Sequence, residues 1–180
     1  MKNKCLFPLM IVFALFCSGC MNDFAVSKLN KIAQEYIDEG DLVTAASRLE
    51  ASVELKGNSY KTRYNLAVLY MDLGKFDKAL EHILVAQELS SDEPAVYYVK
   101  ANIYSKLAAE ALDENEDKIA KDRIQMRRVA VRYVNNLEEA NKAYDKYLSY
   151  SQLTEETNVI INRMKHNKIE IENYKSKYSL

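Results

Sequence analysis

Side chains that could carry out covalent or acid–base chemistry are few in this sequence, and they are not grouped. The two histidines, His82 and His166, lie far apart and have no neighbouring cysteine. The sequence contains no HExxH, paired CxxC, GxSxG or phosphate-loop motif, the patterns that supply metal ligands, nucleophiles or phosphate contacts. We expect His82, which follows Glu81 in a helical pattern, to be a helix-surface residue. The sequence therefore predicts no enzymatic activity, no metal and no cofactor.

The first residues of the chain have the pattern of a secretory signal. Lys2 and Lys4 form a short basic segment, and the run from Cys5 to Cys17 is apolar. A run of this length suits the core of a signal peptide and is too short to span a bilayer. We expect residues 1–19 to be removed, which leaves roughly 160 residues, enough for one domain with its own core.

The end of this segment, Cys17-Ser18-Gly19-Cys20, resembles the lipobox of bacterial lipoproteins. The resemblance implies that Cys20 is lipidated and becomes the first residue of the mature chain, with a short linker over residues 20–25. One position departs from the pattern, because Cys17 stands where a lipobox usually has leucine. An ordinary signal peptide cleaved elsewhere and a retained membrane anchor are the alternatives. The mature chain would keep one cysteine, so no internal disulfide is expected.

A period of 34 residues organises the rest of the chain. Tyr36, Tyr70 and Tyr104 recur at that interval, and so do Gly40 and Gly74. The period resembles that of the tetratricopeptide repeat, a helix–turn–helix unit that stacks into a solenoid. The resemblance implies an all-α, right-handed α-solenoid of about three helical hairpins. In these hairpins glycine permits the positive φ of the turn, and tyrosine fills the space between layers.

The second helix of each repeat should carry a small residue where two helices cross closely. Ala45 and Ala79 take this position in the first two repeats. The position 34 residues further on is Asp113, and the matching alanine, Ala140, comes 27 residues later. We therefore expect a helical insertion at about residues 106–134, which forms a longer or protruding helical pair. It either lengthens the solenoid or provides a separate contact surface.

The sequence after the third repeat predicts one more helix. Thr154 is the expected N-cap, and two acidic residues follow it in the first turn. Ile160, Met164, Ile171 and Tyr174 then recur at helical spacing. This segment resembles the capping helix that shields the last apolar face of a tetratricopeptide array. The expected units are repeat one at residues 26–59, repeat two at 60–93, a degenerate repeat three at 94–150 and a capping helix at 154–178.

The resemblance also implies where a partner would bind. Tetratricopeptide arrays hold extended or helical peptides on the concave surface lined by their first helices. At the centre of this surface Tyr64, Val68, Met71 and Tyr98 would hold apolar side chains. If the insertion or the last helix covers Met71 or Tyr98, these residues belong to the core instead. The implied groove residues are Asn30, Gln34, Ile37, Asp38, Tyr64, Val68, Met71, Asp72, Tyr98, Asn102 and Ser105.

A lipobox followed by a short repeat array resembles the envelope-assembly lipoproteins of diderm bacteria, including those of pilus biogenesis and outer-membrane protein insertion. The resemblance implies a lipid-anchored scaffold or assembly factor that binds a protein partner, with pilus or secretion machinery as the expected setting. Because Met21 is not the aspartate associated with inner-membrane retention, we expect the outer membrane and a domain facing the periplasm. In an organism with a single membrane the domain would face outward.

The sequence is also compatible with two other classes of function. One is an envelope enzyme or a peptidoglycan-acting accessory, which would need an acid pair or a metal site in the folded groove. The other is a self-associating structural lipoprotein, which would show an apolar outward face on the insertion or on the last helix. Nucleic acid is not an expected partner, because the net charge is −1 and no basic stripe is visible in the sequence.

Overall fold

A computed structural model of the chain describes residues 6–56, 59–113, 123–152 and 154–180, with side chains from residue 22 onwards. The described residues form seven helices and no strand, which confirms the predicted all-α class. The helices are α1 (Leu6–Asp38), α2 (Leu42–Leu55), α3 (Tyr60–Asp72), α4 (Phe76–Leu89), α5 (Pro94–Asp113), α6 (Arg123–Leu148) and α7 (Glu155–Tyr178).

The first two hairpins turn in the same way. Gly40 and Gly74 have φ values of 81° and 69°, the left-handed conformation that glycine adopts at little cost. The amide of Asp41 donates a hydrogen bond of 2.8 Å to the carbonyl of Tyr36, and a bond of the same length joins Lys75 to Tyr70. The 34-residue period therefore repeats the backbone geometry of the turn as well as the residue types.

The helices pack in chain order, each against the next, so that α1 lies at one end of the array and α7 at the other. Ala45, Ala79 and Ala140 are fully buried in α2, α4 and α6. Each occupies the second helix of a hairpin, where the absence of a larger side chain lets two helices approach closely. This places α5 and α6 as the third hairpin, with Ala140 as its crossing residue.

The third hairpin is longer than the others. Helices α5 and α6 have 20 and 26 residues, whereas α2, α3 and α4 have 13 or 14. Ala108 of α5 and Tyr133, Val134 and Leu137 of α6 form a buried cluster together with Ile171 of α7. The insertion thus extends both helices of the hairpin. The break predicted between Asp113 and Asp117 falls largely on residues 114–122, which lie outside the described residues.

Helix α7 closes the array in the predicted way. The hydroxyl of Thr154 accepts a hydrogen bond from the amide of Thr157, and the hydroxyl of Thr157 accepts one of 2.7 Å from the amide of Thr154. This reciprocal capping satisfies backbone donors at the start of the helix. Ile160 and Ile171 are buried in clusters with residues of α5 and α6, so α7 covers the end of the hydrophobic core.

Helix α1 begins before the first repeat. It runs from Leu6 to Asp38, so the expected linker at residues 20–25 continues the same helix. An ion pair between Asp23 and Lys56 joins α1 to the residue that follows α2. None of the helices among the described residues has the length and apolar character required to cross a membrane.

Candidate partner-binding groove

Of the predicted groove residues on α1, the first, Asn30, is used for packing between helices and leaves little surface for a partner. The side-chain amide of Asn30 donates a hydrogen bond of 3.1 Å to the hydroxyl of Thr62, a buried residue. Asn30 therefore joins α1 to α3. Gln34 and Asp38 are exposed and hydrogen-bond each other at 2.9 Å, whereas Ile37 is half-buried against the core.

The α3 positions are divided between core and surface. Tyr64, Val68 and Met71 are half-buried and pack against the main hydrophobic cluster, whereas Asp72 is exposed. Burial, followed by the nearby carboxylate of Glu93, raises the pKa of the Tyr64 phenol. These side chains present only their outer edges to a partner, so their truncation would also remove core contacts.

Tyr98 is partly packed in the core and partly exposed. Its ring contacts those of Tyr144 and Tyr147 in α6, with centroid distances of 6.4 Å and 5.3 Å. The side chain nevertheless remains 40% exposed. Helix α6 thus supports the ring on one side, and the other side faces solvent.

A cavity of about 590 Å³ opens beside Tyr98. It brings together four of the predicted groove residues, namely Met71, Tyr98, Asn102 and Ser105. Its walls also include Lys106, Ala108, Ala109, Leu112, Tyr133, Leu137, Arg163 and Asn167. Its lining does not include the other predicted positions, which are Asn30, Gln34, Ile37, Asp38, Tyr64, Val68 and Asp72.

A second cavity of about 360 Å³ adjoins the first and shares two of its residues, Tyr98 and Arg163. Its remaining walls are formed by Tyr147 of α6 and by Glu156, Val159 and Ile160 of α7. We call the two cavities together the α5–α7 groove. The groove is displaced from the predicted surface toward the end of the array, because α6 and α7 form one of its sides.

Arg163 organises the centre of this groove. Its guanidinium donates hydrogen bonds of 2.8 Å to the hydroxyl of Tyr144 and 3.2 Å to the side-chain oxygen of Asn102. The Tyr144 hydroxyl donates in turn to the same Asn102 oxygen at 2.7 Å. This network joins α5, α6 and α7. Across the described part of the chain, no carboxylate lies within ion-pair distance of Arg163, so its charge is held by neutral partners.

The other polar residues of the groove are also held in place. The Ser105 hydroxyl donates a 3.0 Å hydrogen bond to the carbonyl of Ala101 within α5, and Asn167 donates one of 2.9 Å to Asn141 of α6. Burial, followed by the charge of Glu170, raises the pKa of Tyr133 to about 12. The larger cavity therefore presents neutral phenols, amides and two cations, Lys106 and Arg163, and the smaller cavity adds the carboxylate of Glu156.

Sequence reasoning missed Arg163 and Asn167 because they belong to the capping helix and not to a repeat. A signal was present in the spacing. Ile160, Arg163, Asn167 and Ile171 recur at intervals of three and four, so the two polar residues stand in the apolar stripe of α7. Asn167 is buried, and a buried polar side chain needs a hydrogen-bond partner, so its position in the stripe indicates the face of α7 that meets α6.

The surface position predicted for His82 is wrong. The residue is 9% exposed, and its ring stacks on that of Tyr70 with centroids 5.6 Å apart. Its Nδ1 accepts a hydrogen bond of 3.0 Å from the guanidinium of Arg63, since arginine is only a donor. Burial, followed by the charge of Arg63, lowers the pKa of His82. His82 thus packs between α3 and α4, whereas His166 is exposed.

The structure shows no metal site in the part of the chain that it describes. No group of three or more His, Cys, Asp or Glu side chains lies there in positions that could bind one metal ion. Ser105, the serine in the lining of the larger cavity, donates its hydroxyl hydrogen to a carbonyl of its own helix. The described groove therefore offers contacts for binding and no recognisable nucleophile with its base.

Comparison with known protein families gives a match over the repeated segment. Residues 36–103 match the tetratricopeptide repeat family. The match extends from the last turn of α1 into α5 and therefore covers both glycine turns. No curated protein matches the chain.

Solved structures with a similar fold come from several bacteria. A tetratricopeptide repeat protein from Parabacteroides merdae has 20% identity and a TM-score of 0.45, over 86% of this chain and 65% of that one. The type III secretion translocator chaperone SycD of Yersinia enterocolitica has 13% identity and a TM-score of 0.46, over 87% and 96%. PilF of Pseudomonas aeruginosa has 14% identity and a TM-score of 0.39, over 87% and 91%.

The chain thus spans less than two thirds of the length of the Parabacteroides protein. At these identities and TM-scores, the similarities assign neither a partner nor an activity to this chain.

Proposed function

We propose that this chain, whose residues 36–103 belong to the tetratricopeptide repeat family, is a non-enzymatic scaffold that binds a segment of a protein partner in the α5–α7 groove. The observation that carries the proposal is the composition of the groove around Tyr98. An exposed aromatic edge, an apolar floor and the guanidinium of Arg163 meet in one concave surface. Tyrosine and arginine are among the side chains that most often dominate the binding energy of protein interfaces.

The size of the groove suits side chains of a peptide. Its larger cavity of about 590 Å³ can take a few apolar side chains between Met71 and Leu112. Tyr98 and Tyr147 would cover them from one side, because both rings line the adjoining cavity. Burial of such side chains contributes about 25 cal/mol for each Å² of apolar surface removed from water.

The positive charge of the larger cavity favours partner groups that accept hydrogen bonds. The larger cavity is lined by two cations, Lys106 and Arg163, and its lining contains no carboxylate. A bound segment would therefore place backbone carbonyls or an acidic side chain near these cations. Because Arg163 is already oriented by Asn102 and Tyr144, binding would cost little further ordering of its side chain.

We also propose that Cys20 anchors the chain to a membrane through lipid. The support is the sequence of the first twenty residues, with Lys2, Lys4 and the apolar run before Cys17-Ser18-Gly19-Cys20. A lipoprotein cysteine that carries several acyl chains is held stably, since each buried methylene adds to the affinity. The groove lies at the α7 end of the array, far along the chain of packed helices from α1. A partner would thus be held away from the anchor, in an envelope compartment such as the periplasm.

A photo-crosslinking residue at position 98 tests the groove in the cells of origin. We expect ultraviolet light to give a discrete adduct from this position, and none of the same mass from position 43, an exposed residue of α2. Val159→Asp should weaken the adduct, because Val159 lines the groove and is 59% exposed. Ile169→Asp is the matched control, since Ile169 lies on the same helix, is 60% exposed and is not part of the groove lining.

The proposal fails if positions 98 and 43 give the same adducts, or if Val159→Asp and Ile169→Asp have equal effects. Both variants replace an exposed valine or isoleucine on the surface of α7, so the fold should persist in each. Circular dichroism of the purified variants checks this point.

A further inference from the structure

A second concave surface lies at the far end of the third hairpin, away from the α5–α7 groove. The start of α6 and the end of α7 enclose a cleft of about 700 Å³. Its walls carry four cations around two aliphatic side chains, namely Arg123, Arg127, Arg128 and Lys177 with Ile124 and Val131. We call it the arginine cleft. It belongs to the insertion, whose role the sequence left open between a longer solenoid and a contact surface.

The charge of the arginine cleft is not neutralised by the described residues. None of its four cations forms an ion pair with a described carboxylate. Arg127 donates a hydrogen bond of 3.1 Å to the backbone carbonyl of Ser179, and the ammonium of Lys177 lies 5.2 Å from the centroid of the Tyr178 ring. Like charges that line one cleft repel one another, so the site favours a ligand with negative charge.

The floor of the cleft is apolar and open to solvent. Ile124 and Val131, seven residues apart on α6, are 66% and 40% exposed. A spacing of seven places them on one face of the helix, two turns apart. Exposed aliphatic side chains framed by polar ones are typical of surfaces that bind another protein.

The two walls of the cleft are fixed relative to each other. The ring of Tyr133 in α6 contacts that of Tyr174 in α7 with centroids 4.5 Å apart, and Tyr174 contacts Tyr178 at 5.7 Å. The bond from Arg127 to the carbonyl of Ser179 joins α6 to the residue that caps the end of α7. A partner would therefore enter a preformed cleft, which lowers the entropic cost of binding.

We propose that the arginine cleft binds an acidic segment of a partner protein that carries at least one aliphatic or aromatic side chain. The carboxylates would pair with the arginines, and the apolar side chain would cover Ile124 and Val131. A flat anionic membrane fits less well, because it cannot fill a concave apolar floor. A symmetric dimer through this cleft would place the arginines of one copy against those of the other, and the like charges would repel. The site is separate from the groove around Tyr98, so each is tested without the other.

Fluorescence anisotropy of the purified full chain tests this proposal. The probe is a fluorescein-labelled peptide of repeated Glu-Glu-Leu units, and its counterpart contains Gln in place of Glu. We expect the acidic peptide to bind, the Gln peptide to bind at least about tenfold more weakly, and the affinity to fall as salt is raised. Arg127→Glu/Arg128→Glu should weaken binding of the acidic peptide by at least about tenfold, because attractive contacts between opposite charges become repulsive.

Two further variants separate the cleft from general charge effects. Ile124→Ser/Val131→Ser keeps all cations and should weaken binding severalfold through loss of the apolar contact. Lys165→Glu/Lys168→Glu makes the same charge change on exposed α7 residues outside the cleft and should change the affinity by less than about twofold. Circular dichroism and thermal unfolding confirm that each variant is folded.

Several results would overturn the proposal. One is an acidic peptide that does not bind, or that binds the Arg127→Glu/Arg128→Glu variant and the Lys165→Glu/Lys168→Glu control equally. Another is that anionic phospholipid vesicles bind through the same arginines and the acidic peptide does not bind, which would identify a membrane as the ligand of the cleft. Residues 114–122 include Glu114, Glu116 and Asp117. If the peptide binds only after these three are changed to Gln or Asn, the chain's own acids occupy the cleft and a partner segment is excluded.

Discussion

The guanidinium of Arg163 in α7 donates a hydrogen bond of 2.8 Å to the hydroxyl of Tyr144 in α6, which is fully buried. The same hydroxyl donates to Asn102 of α5, so one phenol oxygen connects the last three helices. A buried group with both donor and acceptor roles filled stabilises the structure, and its partners are costly to leave unpaired. The capping helix is thus attached at the groove by polar contacts as well as by its apolar stripe.

Tyr144→Phe should lower the free energy of unfolding by about 1–3 kcal/mol, because it leaves Arg163 and Asn102 each without one hydrogen-bond partner. Urea denaturation measures this change. Tyr147→Phe is the control, since Tyr147 lies on the same helix and its hydroxyl makes no hydrogen bond within the described residues. It should change the value by less than about 0.5 kcal/mol. Equal effects of the two variants would show that the Tyr144 hydroxyl adds nothing to stability.

The repeat architecture was predictable because its determinants are local. A turn that needs positive φ calls for glycine, and a close crossing calls for alanine, so Gly40, Gly74, Ala45 and Ala79 could be identified from their spacing alone. The N-cap Thr154 was predictable for the same reason, since its partner Thr157 lies three residues away. These contacts involve neighbours in sequence or copies of one unit.

The groove could be predicted only in part because its geometry depends on contacts between distant residues. Asn102 meets Arg163 across 61 positions, and Asn30 meets Thr62 across 32. A repeat pattern places Tyr98 on a first helix, but it does not state how α6 and α7 pack beside that helix. His82 shows the same limit, because its partner Arg63 lies 19 positions away on another helix.

Acid should weaken the packing of α3 against α4 through His82. Because burial and the charge of Arg63 hold its pKa below the value of an unfolded histidine, the unfolded chain binds a proton before the folded chain does. The stabilisation is therefore complete above the unfolded pKa of about 6.5 and is lost as the pH falls from that value through the folded pKa. The carboxylates of Glu50 and Glu81 oppose this shift, and Lys78 adds to it.

His82→Gln tests this pH dependence, because glutamine keeps an acceptor for Arg63 and does not titrate. Between pH 7.5 and pH 5 the wild-type chain should lose more stability in urea than the variant does. His166→Gln removes an exposed histidine and should retain the wild-type dependence. If His82→Gln and the wild type lose the same amount, acid acts on other groups.

Gly74→Ala should lower the free energy of unfolding by about 1–2 kcal/mol, because alanine is strained at a φ of 69°. Apart from Gly74 itself and its two chain neighbours, no heavy atom lies within 4 Å of the position that an added Cβ would take, so the cost comes from the backbone conformation and not from a clash. Gly74→Asn should cost less, since asparagine tolerates the left-handed region. Thermal unfolding should show a fall in Tm of roughly 2–8 °C for alanine. A Tm for alanine at or above that of asparagine would contradict this account of the turn.

Cys20→Ser should abolish lipid attachment, because the acyl chain is proposed to be carried by the thiol and amino group of this residue. Cells grown with an alkyne-labelled palmitate analogue should label the wild-type chain and leave the variant unlabelled, and the variant should move from the membrane fraction to the soluble fraction. Cys17→Ser is the matched control, since it removes a thiol three residues away and leaves Cys20 in place. Label that persists in Cys20→Ser would exclude this cysteine as the anchor. Loss of label in Cys17→Ser, with label kept in Cys20→Ser, would place the acyl chain on Cys17. Because Cys17 precedes the expected cleavage site, this result would favour a retained signal segment.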